Sequence, residues 1–276
     1  MAFLTRLWRT APGLVATGIL LAALVVPFGI GLVVDPRVIT GAPAWLKPLK
    51  FAISTAVYSF TLAWVFTFLP AWPLTRRIVG GGTAAAFVIE LLLIGGQAAR
   101  GTTSHFNTAT PFDALVFGVM GLAIVLQTLL AAWLAVVLWR QRFEDPALGW
   151  ALRLGVLVTV VGAFTGGLMT RPTAAQIAEA RDTRQMPVRG AHTVGAPDGG
   201  PGLPVTGWST RHGDVRVPHF VGLHAWQVLP AIVLVALRRF RGATRTRLAL
   251  AAAAIYAAVF LALLVQALRG QPLMAL

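Results

Sequence analysis

Cysteine is absent from this chain of 276 residues. That excludes disulfides, thiolate metal sites and c-type haem attachment, so any haem or metal must be held by His, Met or carboxylate. Charge is scarce as well: 12% of the residues are charged, against ~25% in an ordinary soluble domain. Acidic residues are the scarcer sign, 9 against 23 Lys and Arg. The resulting net charge of +14 would suit a nucleic-acid binder, but the arginines fall in short clusters between apolar runs. That is the pattern of membrane topology and lipid head-group contact, so no nucleic-acid partner is expected. There is no Walker A loop, dinucleotide fingerprint or acidic metal cluster. No duplicated half stands out, as it would in many transporters.

What is abundant is apolar sequence, 57% hydrophobic with a mean hydropathy of +0.76. Seven stretches come close to the ~20 residues that cross a bilayer. They are Pro12–Val34, Phe51–Leu69, Ile78–Ala98, Ala114–Trp139, Leu148–Met169, Val217–Leu237 and Leu248–Leu268. Each must be helical, because a lone segment in lipid has to satisfy its own backbone hydrogen bonds. The expected fold is therefore an all-α integral membrane protein, a bundle of about seven transmembrane helices in one transmembrane domain. Pro27 and Pro230 fall inside spans and predict kinks. The first run is longer than a signal-peptide core and lacks a small-x-small cleavage site, so it reads as an uncleaved span.

The arginine clusters at alternate ends (Arg6 and Arg9; Arg76 and Arg77; Arg140, Arg142 and Arg153; Arg238 to Arg247) are assigned to the cytoplasm. The expected site is a bacterial cytoplasmic membrane, with the N-terminus inside and the C-terminus outside. All five histidines then fall at or near the outer face. So do Lys47, Lys50, Gln97, Arg100 and Asp113. The segment 170–216 becomes an extracytoplasmic loop, read as a lid between spans five and six. Within it, Thr173–Arg184 reads as a short amphipathic helix and Gly195–Gly202 as an irregular loop. Leu203–Gly207, L-P-V-T-G, matches a sortase signal, but a further span follows it, so the match is coincidental.

Glu90 is the only carboxylate well inside a predicted span. Gln97 is seven residues on, so both lie on one face, about 10 Å apart in depth. Ionised and alone, such a carboxylate would cost several kcal/mol; it is protonated, paired or reached by water. The bland alternative is an interhelical hydrogen bond. Gln97–Asn107, Q-A-A-R-G-T-T-S-H-F-N, then brings Arg100 and His105 to the same end. Arg100 could clamp an anion or pair with Asp113 or Asp214. His105 is a candidate ligand. Val217–Gln227 carries His219 and His224, whose rings point about 140° apart on one helix, so they do not share a metal as an i, i+4 pair would. His224 and Gln227 do share a face. Lys47 and Lys50 read either as anion contacts or as snorkelling side chains beside Trp45. Gly162 and Gly166 form a small-xxx-small pair that predicts close helix packing, within the bundle or in a homo-oligomer.

The stretches K-P-L-K-F, Q-A-A-R-G-T-T-S-H-F-N and G-D-V-R-V-P-H-F-V-G-L-H-A-W-Q resemble those of a family of bacterial multi-pass membrane proteins with no assigned activity. Haem A synthases are similar in their many spans and outer histidines, but their Glu-x-x-His signature is missing here. Three functions stay open from sequence. The first is a haem- or metal-binding redox protein, with His105 and His224 as metal ligands and His219, Gln97, Gln227 and Arg216 completing a cofactor site. There Glu90 and Arg100 would be catalytic: Glu90, with Gln97 and Gln227, would serve protons or a quinone-like ligand, and Arg100, with Arg216, would neutralise an anionic group. The second is a transporter or receptor for a small or lipid-like solute. The third is a non-catalytic scaffold or assembly factor.

Overall fold

The computed structural model describes residues 2–275. Ten α-helices are described: α1 (Ala2–Thr10), α2 (Pro12–Ala23), α3 (Val25–Val34), α4 (Leu46–Phe66), α5 (Pro73–Ala99), α6 (Pro111–Arg140), α7 (Pro146–Met169), α8 (Ala174–Thr183), α9 (Arg216–Ala231) and α10 (Gly242–Leu268). Among the described residues, strands are limited to two antiparallel pairs. β1 (Val38–Ile39) pairs with β2 (Ala42–Pro43), and β3 (Thr193–Val194) with β4 (Gly213–Asp214). Seven helical segments are long and apolar enough to cross a membrane, and the chain is an all-α multi-pass membrane protein. Its outer surface fits lipid rather than water: Val33, Leu122, Val235 and Ile255 are each more than 60% exposed. In water such a surface would be a large apolar liability; in a bilayer it faces its proper solvent.

Several helices begin earlier than hydropathy suggests. Pro73, Pro111 and Pro146 open α5, α6 and α7. Proline suits the first helical turn, where an N–H would go unsatisfied in any case. Pro27 has no N–H for the Ala23 carbonyl, and the first span is interrupted at Leu24, between α2 and α3. Pro230 likewise precedes a π-helical turn, Ile232–Ala236, that ends the sixth span.

The chain forms two compact units. The first comprises residues 1–130 and 172–189; the second comprises 131–171 and 190–276. In the first unit α2 packs on α4 and α5. Leu21, Ala52, Ala56, Phe87 and Leu91 form a core there, and Ile94, Val116 and Met120 another. In the second, α7 and α9 make the most extensive helix pairing and α10 packs on both. Gly162 and Gly222 lie at their crossing: a Cβ built on either would sit 2.6 Å from the other's Cα. Thr159 is held beside the crossing, its hydroxyl within 3.3 Å of the Gly222 carbonyl.

The segment expected as one lid is divided between the units. α8 begins with a capping box, in which Thr173 Oγ1 accepts from the Gln176 N–H and Gln176 Oε1 accepts from the Thr173 N–H. In the first unit the Thr108 N–H donates to the Pro187 carbonyl. In the second, Asp198 accepts from His192 Nδ1 at 2.6 Å and from the His192 and Thr193 N–H groups. Burial works against that carboxylate's charge. The His192 bond and charge and the two N–H groups outweigh it, holding the carboxyl well below its ordinary range.

Candidate functional site

The first unit carries a polar stripe on one face of α5. Thr75, Thr83, Glu90 and Gln97 are each at most 3% exposed. At 100° per residue they fall within about 80° of one another, and at 1.5 Å per residue they span about 33 Å, close to the thickness of a bilayer core.

Gln97 sits at the end of the stripe in a saturated cluster. Its Nε2 donates to Asp113 Oδ1 at 2.8 Å, and its Oε1 accepts from Arg100. Arg100 also pairs with Asp113 at 2.7 Å and lies over the Phe112 ring. Thr110 Oγ1 donates to the second oxygen of Asp113 at 2.6 Å. Asp113 stands in the first turn of α6, where the helix dipole favours a negative charge. Of the two aspartates considered from sequence, Asp113 is thus the one that Arg100 pairs with.

At the same end, Lys47 Nζ lies 3.0 Å from His105 Nδ1, and Ser104 Oγ lies 3.1 Å from the same nitrogen. With Lys47 charged and donating, Nδ1 is the acceptor and the ring proton sits on Nε2. Phe51 packs against the His105 ring at 5.9 Å. The lysine is therefore part of a polar group, not only a snorkelling chain.

Glu90 differs from all of these. It is 1% exposed, and neither carboxyl oxygen has a hydrogen-bond partner among the described residues. It sits between the two apolar cores, one helical turn from Phe87 on one side and Ile94 on the other. Lys47 is the cation whose field reaches it. Further along the stripe, Gln127 of α6 donates to Tyr58 of α4 at 3.0 Å, and Tyr58 meets Phe87 edge-on at 5.0 Å. Gln127 Oε1 and Thr83 Oγ1 are buried and also unpartnered. Four orphaned polar atoms on three residues thus accompany the stripe. Buried polar groups are nearly always hydrogen-bonded, so these mark places that water or a ligand would satisfy. Tyr58 and Thr83 carry no sequence motif; the signal for Thr83 is its seven-residue spacing with Glu90 and Gln97, and Tyr58 has none.

The second unit holds the other candidates. His219 Nδ1 lies 2.9 Å from the Gly162 carbonyl and 3.1 Å from Thr165 Oγ1. His224 Nδ1 bonds Gln227 Oε1 at 2.6 Å, and its ring lies 4.3 Å from Phe220. Arg216 is consumed by Asp214, which it meets at 2.5 Å, and by the Gly207 carbonyl. The expected metal pair, His105 and His224, falls in different units. Among the described residues no three of His, Cys, Asp and Glu group as metal ligands.

No family, no curated protein and no solved structure matches the chain.

Proposed function

We propose that this membrane protein is of the transporter class and that Glu90 is its reversibly protonated group. The observation that carries this is the Glu90 carboxyl itself: buried in a spanning helix, with both oxygens unsatisfied. An intramembrane carboxylate is costly and marks functional pathways more often than structure. The Lys47–His105–Ser104 group is the loading end. It offers a proton relay at the Gln97 end of the stripe, and Gln97 lies about 10 Å from Glu90 in depth. Close packing around Glu90 favours a proton over a solute-sized ligand, since Phe87, Leu91 and Ile94 are each at most 5% exposed.

The haem or metal reading draws less support. His105, His219 and His224 each have Nδ1 engaged by protein groups, and none joins a ligand cluster among the described residues. By the arginine distribution, the loading end faces the outside of a bacterial cytoplasmic membrane.

The test is labelling with a hydrophobic carbodiimide, which attacks a protonated carboxyl in an apolar site. Peptide mapping should find the adduct at Glu90 in the wild type, with labelling falling as pH is raised. Lys47→Met and His105→Ala should slow the return of label after a pH drop. A folded protein in which Glu90 takes no label, or takes it equally at every pH, would overturn the proposal.

A further inference from the structure

We infer that the stripe on α5 is a proton path through the whole first unit, in which Glu90 is the middle station. This rests on the reading of Glu90 as a protonated group, and it adds the route and the species carried. From the Lys47–His105 end the proton reaches Glu90. From there it passes the Tyr58 hydroxyl and the Gln127 amide, then Thr83, and leaves beside Thr75 and Arg76.

Three observations carry the route. First, the polar residues recur at intervals of seven or eight along one face of a single spanning helix, from its first turn to its last. A helix needs no such stripe for packing; beyond Arg77 in the first turns, the opposite positions are aliphatic or small. Second, the unsatisfied buried side-chain atoms described in the first unit lie along this stripe: Thr83 Oγ1, both Glu90 oxygens and Gln127 Oε1. Arg76 Nε, at the far end, is also buried and unpartnered. Third, Tyr58 and Gln127 come from two other helices and meet beside Phe87, in the interval between Glu90 and Thr83. That places a hydroxyl and an amide oxygen where the stripe on α5 alone has a gap of about 10 Å.

The intervals are bridged by single-file water, which the orphaned oxygens would hydrogen-bond. One proton enters and one leaves; no bond between heavy atoms changes and no electron moves. The titratable or charged groups on the flanking elements are Lys47, Lys50 and Tyr58 of α4, Asp113 and Arg140 of α6, and Arg100 and His105 between α5 and α6. α2 and α3 bring none.

The experiment uses the full chain in liposomes loaded with potassium and a pH dye, with flux started by valinomycin. Wild-type protein should carry protons at least tenfold faster than empty liposomes. Glu90→Gln should abolish the excess. Gln127→Met and Thr83→Val should each lower it severalfold, while carbodiimide labelling of Glu90 remains pH-dependent. Thr83→Ser, which keeps the hydroxyl, should restore the flux and show that the valine variant does not fail by misfolding. Wild-type flux equal to that of empty liposomes, with Glu90 still titrating, would overturn the path and leave the Glu90 site standing. Full flux in both Gln127→Met and Thr83→Val would overturn the route. Loss of pH-dependent labelling at Glu90 would remove the ground beneath both.

Discussion

Replacing Gly162 by alanine should cost the second unit about 2 kcal/mol, although alanine is the better helix former. Two opposed effects set that number. Alanine gains roughly 1 kcal/mol over glycine in a helix interior. Against it, the new methyl would lie 2.6 Å from the Gly222 Cα and 2.7 Å from its carbonyl carbon. Carbon atoms prefer separations of about 3.5–4.0 Å, so α7 and α9 must part by roughly 1 Å. Neither neighbour is a side chain that can swing away. Parting the helices also stretches the bonds of Thr159 to the Gly222 and Leu223 carbonyls, already 3.3 and 3.4 Å long. Overpacking of this kind costs about 1–3 kcal/mol, and a backbone clash belongs at the upper end. The difference, about 2 kcal/mol, is a factor of roughly thirty in the folded-to-unfolded ratio. Equilibrium unfolding in mixed detergent micelles measures it. Gly167→Ala is the control, because a Cβ there meets nothing within 4 Å. It should be neutral or stabilising. If Gly162→Ala proves as stable as Gly167→Ala, the close crossing of α7 and α9 is wrong.

Asp198→Asn should raise hydrogen exchange at the His192 and Thr193 amides, each of which donates to that carboxylate. Bonds to a charged group are worth about 1.5–3 kcal/mol, so protection should fall about tenfold or more. The carboxyl is held below its ordinary value, so its contribution is complete above about pH 4 and is lost as pH falls towards the folded value. Unchanged exchange in acid would contradict the sign. Asp214→Ala leaves Arg216 without its fully buried partner and should open the segment around β4 to proteolysis, at a cost of about 3–5 kcal/mol. Cleavage no faster than in the wild type would count against it. Thr173→Ala removes the cap of α8 and should lower its helicity by an amount worth about 1 kcal/mol, read from local amide exchange.

The spans were legible in the sequence because lipid solvation demands long apolar runs, and each expected run lies in an observed helix or its end. Their starts were less so. The Pro73–Arg77 turn of α5 is polar, and hydropathy does not see it. Glu90 and Gln97 stood out because polar residues are costly at those positions. Their environments did not: Gln97 is saturated by Asp113, from α6, and by Arg100, at the end of α5, while Glu90 is bare among the described residues. Lys47 read as a snorkelling chain because its partner, His105, is 58 residues away. Arg216 read as part of a cofactor site. Yet Asp214-x-Arg216 and Asp35-x-Arg37 both fold into the same local ion pair, in which the aspartate accepts from the arginine N–H and Nε. That repeated pattern was visible in the sequence and marks arginines already committed to a neighbour. The haem and metal expectation rested on histidines at one predicted face of the membrane. Placement at a face does not make a ligand set: among the described residues His105, His219 and His224 each have Nδ1 engaged by a protein group.

The most direct measurement of the central claim is infrared spectroscopy of the protein in lipid, titrated in H2O and D2O, with Glu90→Gln subtracted. A protonated carboxyl in an apolar site gives a C=O band apart from those of the amides. The account predicts such a band in the wild type, absent from Glu90→Gln, shifted in D2O and lost reversibly as pH rises. A carboxyl band identical in both proteins, or one from Glu90 that no pH alters, would contradict it.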